Sequence, residues 1–241
     1  DTILGYEAFD RGNNPNYTYS YGYNIEPSTY AGVLASYKFC DVVSASAGVA
    51  NVANGGGSVD PTSRSNQDSR KTYLGSVALT APQSWGVLAG STLYGAVAYG
   101  QDSRSIANQV NYYAGTVINT GVKGLKVGAA YDYVGTDVGA SSGLGLAWED
   151  ALAVYASFQA TDKLSFHGRG EYAWGKNFGS PVGNTGGAGA VYAFTGTVQY
   201  DLWKNVLSRA ELRWDHAKDG VFGSSGAKDA VLLAANLIYK F

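Results

Sequence analysis

The sequence has no methionine, one cysteine, five prolines and no long apolar run in its 241 residues. Each shortage excludes something. Cys40 alone rules out a disulfide within this chain and a cysteine-rich metal centre. No stretch approaches the roughly 18 consecutive apolar residues of a membrane-crossing helix. Charged residues make up only 15% of the chain, against about 25% in an ordinary soluble domain. The net charge is −2, and no segment has the basic density that a nucleic-acid partner requires. No His or carboxylate cluster has metal-ligand spacing. Glycine-rich stretches such as Gly55-Gly56-Gly57 lack the Lys and following helix of a phosphate loop. The expectation is therefore no nucleic acid, no metal and no cofactor.

What is present is tyrosine and glycine, 19 and 33 residues, in a chain that is 13% aromatic. The ending is the most informative stretch. Read backwards in twos from the terminus, Phe241, Tyr239, Leu237, Ala235, Leu233 and Val231 form one apolar row. Alternate residues of a strand lie on opposite faces, so this row is one face of a last β-strand that stops on an aromatic residue. It resembles the terminal signature of outer-membrane β-barrels. That likeness implies that Leu237, Tyr239 and Phe241 form the signal read by the barrel-insertion machinery.

The same alternation recurs along the chain. In Lys163–Trp174, Lys163, Ser165, His167, Arg169 and Glu171 oppose Leu164, Phe166, Gly168, Gly170, Tyr172 and Trp174. In Ser208–Asp215, Arg209, Glu211, Arg213 and Asp215 oppose Ser208, Ala210, Leu212 and Trp214. With the opening Thr2–Phe9 and the final row, the pattern predicts about twelve strands. A soluble sandwich also alternates, but it would put its bulk mid-strand. Here the aromatics gather near strand ends, at Tyr131 and Tyr133, Tyr172 and Trp174, Tyr192 and Tyr200, Tyr239 and Phe241. Those positions suit the aromatic girdles of a membrane barrel.

Connections alternate as well. Short ones at Cys40-Asp41, Thr120–Lys123, Thr161-Asp162 and Leu202–Lys204 interleave with long polar ones, including 53–70, 135–147, 175–189 and 216–228. Short periplasmic turns and long outer loops are the habit of bacterial outer-membrane barrels. The fold class expected is all-β, a transmembrane antiparallel up-and-down β-barrel in the bacterial outer membrane, with residues 1–241 as a single domain.

The stretch Asn13-Asn14-Pro15-Asn16-Tyr17-Thr18-Tyr19-Ser20-Tyr21-Gly22-Tyr23, leading into Tyr30-Ala31-Gly32-Val33, differs in kind. It resembles the OmpL-like family of β-barrel porins. Members carry Asn-Pro-Asn-Tyr-Ser, a Tyr/Phe/Gly-rich stretch, a Pro, and a strand opening with a small residue, Gly and Val. Thr18 stands where Ser is common, and Tyr19 where the family often has Arg. In that family the motif lies mid-chain. The resemblance thus implies the C-terminal part of a larger barrel of about sixteen strands, set against a complete barrel of about twelve.

Residues 10–29 form either an outer surface loop or a constriction loop folded into the lumen. In the second case Tyr17, Tyr19, Tyr21 and Tyr23 make an aromatic track, with charge from Asp10, Arg11 and Glu26. The pore-lining candidates are Lys126, Asp132, His167, Arg169, Glu171, Arg209, Glu211 and Arg213. Mixed charge at a constriction tunes selectivity without imposing one sign. The function expected is a porin for passive diffusion of small hydrophilic solutes or ions, with outer-membrane lipid around it. The alternative is a scaffolding barrel plugged by or joined to a partner protein. A homo-oligomer or a membrane-complex partner fits either. A hydrolase would need His167 or His216, and Asp215-His216-Ala217-Lys218-Asp219 has such ingredients by composition only. No catalytic residue is assigned. Asp60 and Asp68 could bind Ca²⁺, without a twelve-residue loop signature.

Overall fold

The computed structural model describes residues 2–27, 29–51, 71–101, 108–137, 146–176 and 188–240. Among these residues, eleven strands form one antiparallel sheet in chain order. They are β1 (Gly32–Lys38), β2 (Val43–Ala50), β3 (Thr72–Thr80), β4 (Thr92–Gln101), β5 (Asn108–Asn119), β6 (Leu125–Thr136), β7 (Ala147–Gln159), β8 (Leu164–Lys176), β9 (Ala188–Trp203), β10 (Val206–Ala217) and β11 (Asp229–Tyr239). Each pairs with its neighbours in sequence. β1 pairs only with β2 and β11 only with β10, so the sheet is not closed among the described residues. Among the described residues, no helix is long and apolar enough to cross a membrane.

Alternation sets which side chains face in. On β10, Arg209, Glu211, Arg213 and Asp215 are buried, while Ala210, Leu212 and Trp214 are exposed. The register carries this across the sheet: Leu212 stands opposite Leu233 and Gly196, and Glu211 opposite Ala234 and Thr197. Leu233 is 80% exposed on the outside while Glu211 is 1% exposed on the inside. A soluble fold would have those two exposures the other way round. An apolar outer band around a polar interior is what a lipid-embedded barrel requires.

Aromatic rings collect at both ends of the outer face. Towards the long-connection end, Tyr112 stacks on Tyr133, Tyr172 lies between Trp174 and Tyr192, and Phe194 stacks on Trp214. Towards the short-turn end, Tyr37 meets Phe39 edge-on, and Trp203 and Tyr239 are exposed. The turn before β6 depends on Gly124, whose φ of 83° would strain any L side chain. A Cβ there would also lie 2.6 Å from the carbonyl oxygen of Gln159.

The opening segment departs from expectation. Thr2–Phe9 is not a strand and pairs with none. Gly5, at φ 110°, breaks the extended path. The segment's backbone finds side-chain partners instead: the Asn14 carboxamide accepts from Ala8 N at 2.7 Å and donates to Ala8 O at 2.7 Å. Asp60, Asp68 and Phe241 lie outside the described residues, as does most of the connections 53–70, 135–147 and 175–189.

Candidate functional site: a segment inside the barrel wall

The segment before β1 is organised by its own short-range chemistry. Asp10 Oδ1 accepts from Gly12 N at 2.8 Å and caps a 3-10 turn at Arg11–Asn13. Ser20 Oγ accepts from Tyr23 N at 3.0 Å and caps helix α1 (Tyr21–Ile25). Side-chain oxygens at these positions satisfy the orphan amides of a helical start. A helix of five residues is too short to stand alone, so its position depends on what holds it.

What holds it is the inner face of β5 to β10. Glu211 accepts from the amides of Tyr17 and Thr18 at 2.5 and 2.9 Å. Glu171 accepts from Tyr21 N at 2.7 Å. Asn16 Nδ2 donates to Thr197 Oγ1 at 2.8 Å, and Asn111 Nδ2 donates to the carbonyl of Ile25 at 2.9 Å. Arg169 is the hub. It pairs with Glu7 at 2.7 Å and Glu171 at 2.9 Å, and donates to the carbonyls of Thr18 and Tyr19 at 2.7 and 3.2 Å. Arg213 donates to Tyr19 O at 2.6 Å and pairs with Asp215 at 2.8 Å. Arg209 donates to Arg11 O at 2.9 Å and to Gln199 at 2.8 Å. A guanidinium offers five fixed donors, so each of these arginines can bind wall and segment together.

The expected constriction residues are all here, in two groups. Tyr19 stacks on Tyr23 at 3.8 Å, and the Arg11 guanidinium lies over Tyr17 and Tyr19 at 5.1 and 4.6 Å. Tyr21 turns away to the wall, where its hydroxyl donates to Asp215 Oδ1 at 2.9 Å. Burial, reinforced by the Asp215 charge, raises the Tyr21 phenol and keeps it a donor. Burial also pushes the Tyr23 phenol up to about 12, with Tyr19 beside it. Asp10 and Arg11 are exposed, whereas Glu26 is buried.

Of the eight pore-lining candidates, Arg169, Glu171, Arg209, Glu211 and Arg213 are covered by this segment and bonded to it. Asp132 is buried under α1 beside Glu26, where a Cβ on Gly22 would overlap its carboxylate. His167 is half-buried, bridged to Ser165 and Ser157 at 3.1 and 2.9 Å. Lys126, on the same face of β6 as Asp132, is exposed near the short turns. Leu237 and Tyr239 are exposed on the outer face of β11. Asp215 and His216 fall on opposite faces of β10, which separates the two groups that a hydrolase reading would combine. His216 instead pairs with Asp229 at 2.9 Å and stacks on Trp214.

Several partners carry no sequence motif that marks them. Glu7 lies in a stretch that reads as a strand, and Thr197, Tyr94, Tyr113 and Tyr155 are ordinary strand positions. Tyr155 stacks on Tyr6 at 4.0 Å, and Tyr94 donates to Ile3 O at 2.7 Å. Their signal was strand parity, since Tyr155 shares a face with the buried Ala151 and Ala153. Between the segment and β4–β5 lies a cavity of about 630 Å³, bordered by residues 2–9, Asn13–Pro15, Tyr23, Glu26, Pro27, Tyr94, Tyr113 and Val117.

No curated protein matches the chain. Among solved structures, it is similar to OmpT of Vibrio cholerae. The in-vitro folded form gives a TM-score of 0.53 at 15% identity, over 86% of this chain and 61% of that one. The outer-membrane expressed form gives 0.51 at 16%, over 86% and 62%. An anion-selective porin from Comamonas acidovorans gives 0.59 at 15%, over 86% and 59%. The chain therefore spans about three fifths of the length of these proteins. Identity this low bears on the fold alone. The family model described as "Putative beta-barrel porin-2, OmpL-like" matches residues 1–241, and the chain belongs to that family of bacterial outer-membrane β-barrel proteins.

Proposed function

We propose that the chain forms wall and constriction of a porin through which small hydrophilic solutes or ions diffuse passively. The observation that carries this reading is the segment of residues 2–27, bonded to the polar inner face of a sheet whose outer face is apolar. A segment held this way narrows a lumen as a fixed obstacle, and its clearance sets which solutes pass. Residues 10–29 are the constriction, and Arg169, Arg213 and Glu211 are its anchors. No catalytic step is assigned. Leu237, Tyr239 and Phe241 serve as the insertion signal read by the barrel-insertion machinery.

Conductance of the full-length natural protein in a planar lipid bilayer tests this. Stable single-channel steps are expected, and a variant lacking residues 10–27 gives larger ones. Folded, inserted protein that never conducts overturns the open-pore reading and favours a scaffolding barrel plugged by its own segment or by a partner.

A further inference from the structure

The cavity beside β4 and β5 has a chemistry of its own. Among the described residues, no Lys, Arg or His borders it. Its lining carries two carboxyl groups, Glu7 and Glu26, and four tyrosines, Tyr6, Tyr23, Tyr94 and Tyr113. Glu7 is compensated by Arg169 at 2.7 Å. Glu26 is not compensated. It is 5% exposed, its Oε2 has no hydrogen-bond partner, and its neighbour is a second carboxyl, Asp132. Two adjacent buried carboxyls resist ionising together, so a cation brought beside them favours the charge that burial opposes. Glu26 borders a chamber of about 630 Å³ whose lining includes four tyrosines, with Asp132 behind it, and that volume is within the range of about 300–1,000 Å³ typical of small-molecule sites.

We propose that this cavity binds a small organic cation, with an ammonium group drawn to Glu26, which the Asp132 carboxyl backs, and to the surrounding tyrosine rings. The inference rests on reading the barrel interior as a solute path, and it names the solute class the path favours. Three ligand classes compete for such a chamber. A bare metal ion wants a tight shell of oxygens, and no group of three or more His, Cys, Asp or Glu fit to hold one occurs among the described residues. A neutral sugar needs several free donors and acceptors, yet the Tyr94 hydroxyl is engaged by Ile3 O, the Asn14 carboxamide by Ala8 and Thr2 Oγ1 by Leu4 N. An organic cation needs only negative potential and ring faces. Both act strongly on a desolvated ammonium group.

The test is equilibrium binding of choline to folded full-length protein in detergent micelles, by calorimetry or ligand-observed NMR. Its uncharged isostere, 3,3-dimethylbutan-1-ol, is the control. Choline is expected to bind at least about tenfold more tightly than the isostere. Glu26→Gln is expected to weaken choline by at least about threefold, and the double variant Glu26→Gln/Asp132→Asn by at least about tenfold. Equal binding of the isostere, or no choline binding at about 100 mM, overturns the proposal. If the double variant does not fold, the ratio measured on the natural protein decides alone. Binding is read without current. Choline bound to a non-conducting barrel sinks the pore reading and keeps this site, and an open pore that ignores choline does the reverse.

Discussion

The guanidinium of Arg169 and the carboxylate of Glu7 meet at 2.7 Å although 162 positions separate them in the chain. Neither side chain retains more than 2% of its surface in contact with solvent. This pair joins the segment to the wall, and Glu7 would be an uncompensated buried charge without Arg169. Replacing Arg169 by Ala should cost about 3–5 kcal/mol, because Glu7 loses its cation and Glu171 keeps only the more distant Arg213, at 3.7 Å. Limited trypsin digestion of reconstituted protein checks it. Cleavage after Arg11 should become fast in Arg169→Ala while the barrel stays intact, and unchanged resistance would mean that other contacts hold the segment.

Glu211 is a second anchor of a different kind, since it accepts from two consecutive backbone amides, Tyr17 and Thr18. Glu211→Gln keeps the shape but loses the charge, which should weaken the docking by about 1.5–3 kcal/mol. Amide hydrogen exchange at Tyr17 and Thr18 should speed up by at least about tenfold, with the strand amides of β8 and β9 unaffected.

Gly22 lies on Asp132 so closely that a Cβ would overlap the carboxylate. Gly22→Ala must lift α1 from β6 or displace Asp132, at a cost of about 1–3 kcal/mol. A falling melting temperature with a rising single-channel conductance is the expected pair of changes. A drop in stability with unaltered conductance would place the constriction elsewhere in the segment.

Docking of the segment's end should depend on pH. Burial, with the Asp132 carboxyl beside it, holds the Glu26 carboxyl well above its ordinary range. Glu7 and the hydroxyls of Tyr23, Tyr30 and Tyr113 also face it. A raised carboxyl stabilises the folded form fully below the ordinary value, and this contribution fades as pH rises through the raised one. The bond from Glu26 N to Gly22 O, 3.2 Å long, should therefore exchange faster in alkali after correction for the intrinsic rate. Glu26→Gln should flatten that dependence, and protection that grows with pH would contradict it.

The lipid face makes a prediction of its own. Leu233, 80% exposed opposite Leu212, sits mid-strand, and Tyr239 sits at the strand end. Leu233→Arg should destabilise the protein in a bilayer by about 2–4 kcal/mol and Tyr239→Arg by about 0–1 kcal/mol. Urea unfolding from vesicles measures both, and equal costs would argue against this placement in the membrane.

The strands were legible because each carries its own two-residue period. The pattern in Ser208–Asp215 reappears as β10 and that in Lys163–Trp174 as β8, with the charged side inward. The opening segment was misread because Thr2–Phe9 has a strand-like composition, and only the conformation of Gly5 and the Asn14 clasp on Ala8 redirect it. The tyrosine-rich stretch could be recognised as a loop able to enter the lumen. Its partners could not be named, since Glu211, Arg169 and Asp215 lie more than a hundred positions away. No local pattern encodes a contact of that range. At Tyr19, where the family often has Arg, the guanidinium over the ring comes from Arg11.

The order of events in folding follows from where the segment lies in the chain. Its anchors are on β5 to β10, and those contacts close loops of up to 198 residues. Neighbouring strands pair across turns and connections far shorter than that. Contacts of long sequence separation form late, because the chain must first give up the freedom of everything between. During insertion the wall is therefore assembled while Arg169 and Arg213 still face water. A wide, empty barrel precedes the narrow one, and channels recorded during refolding should open large and then step down as the segment settles.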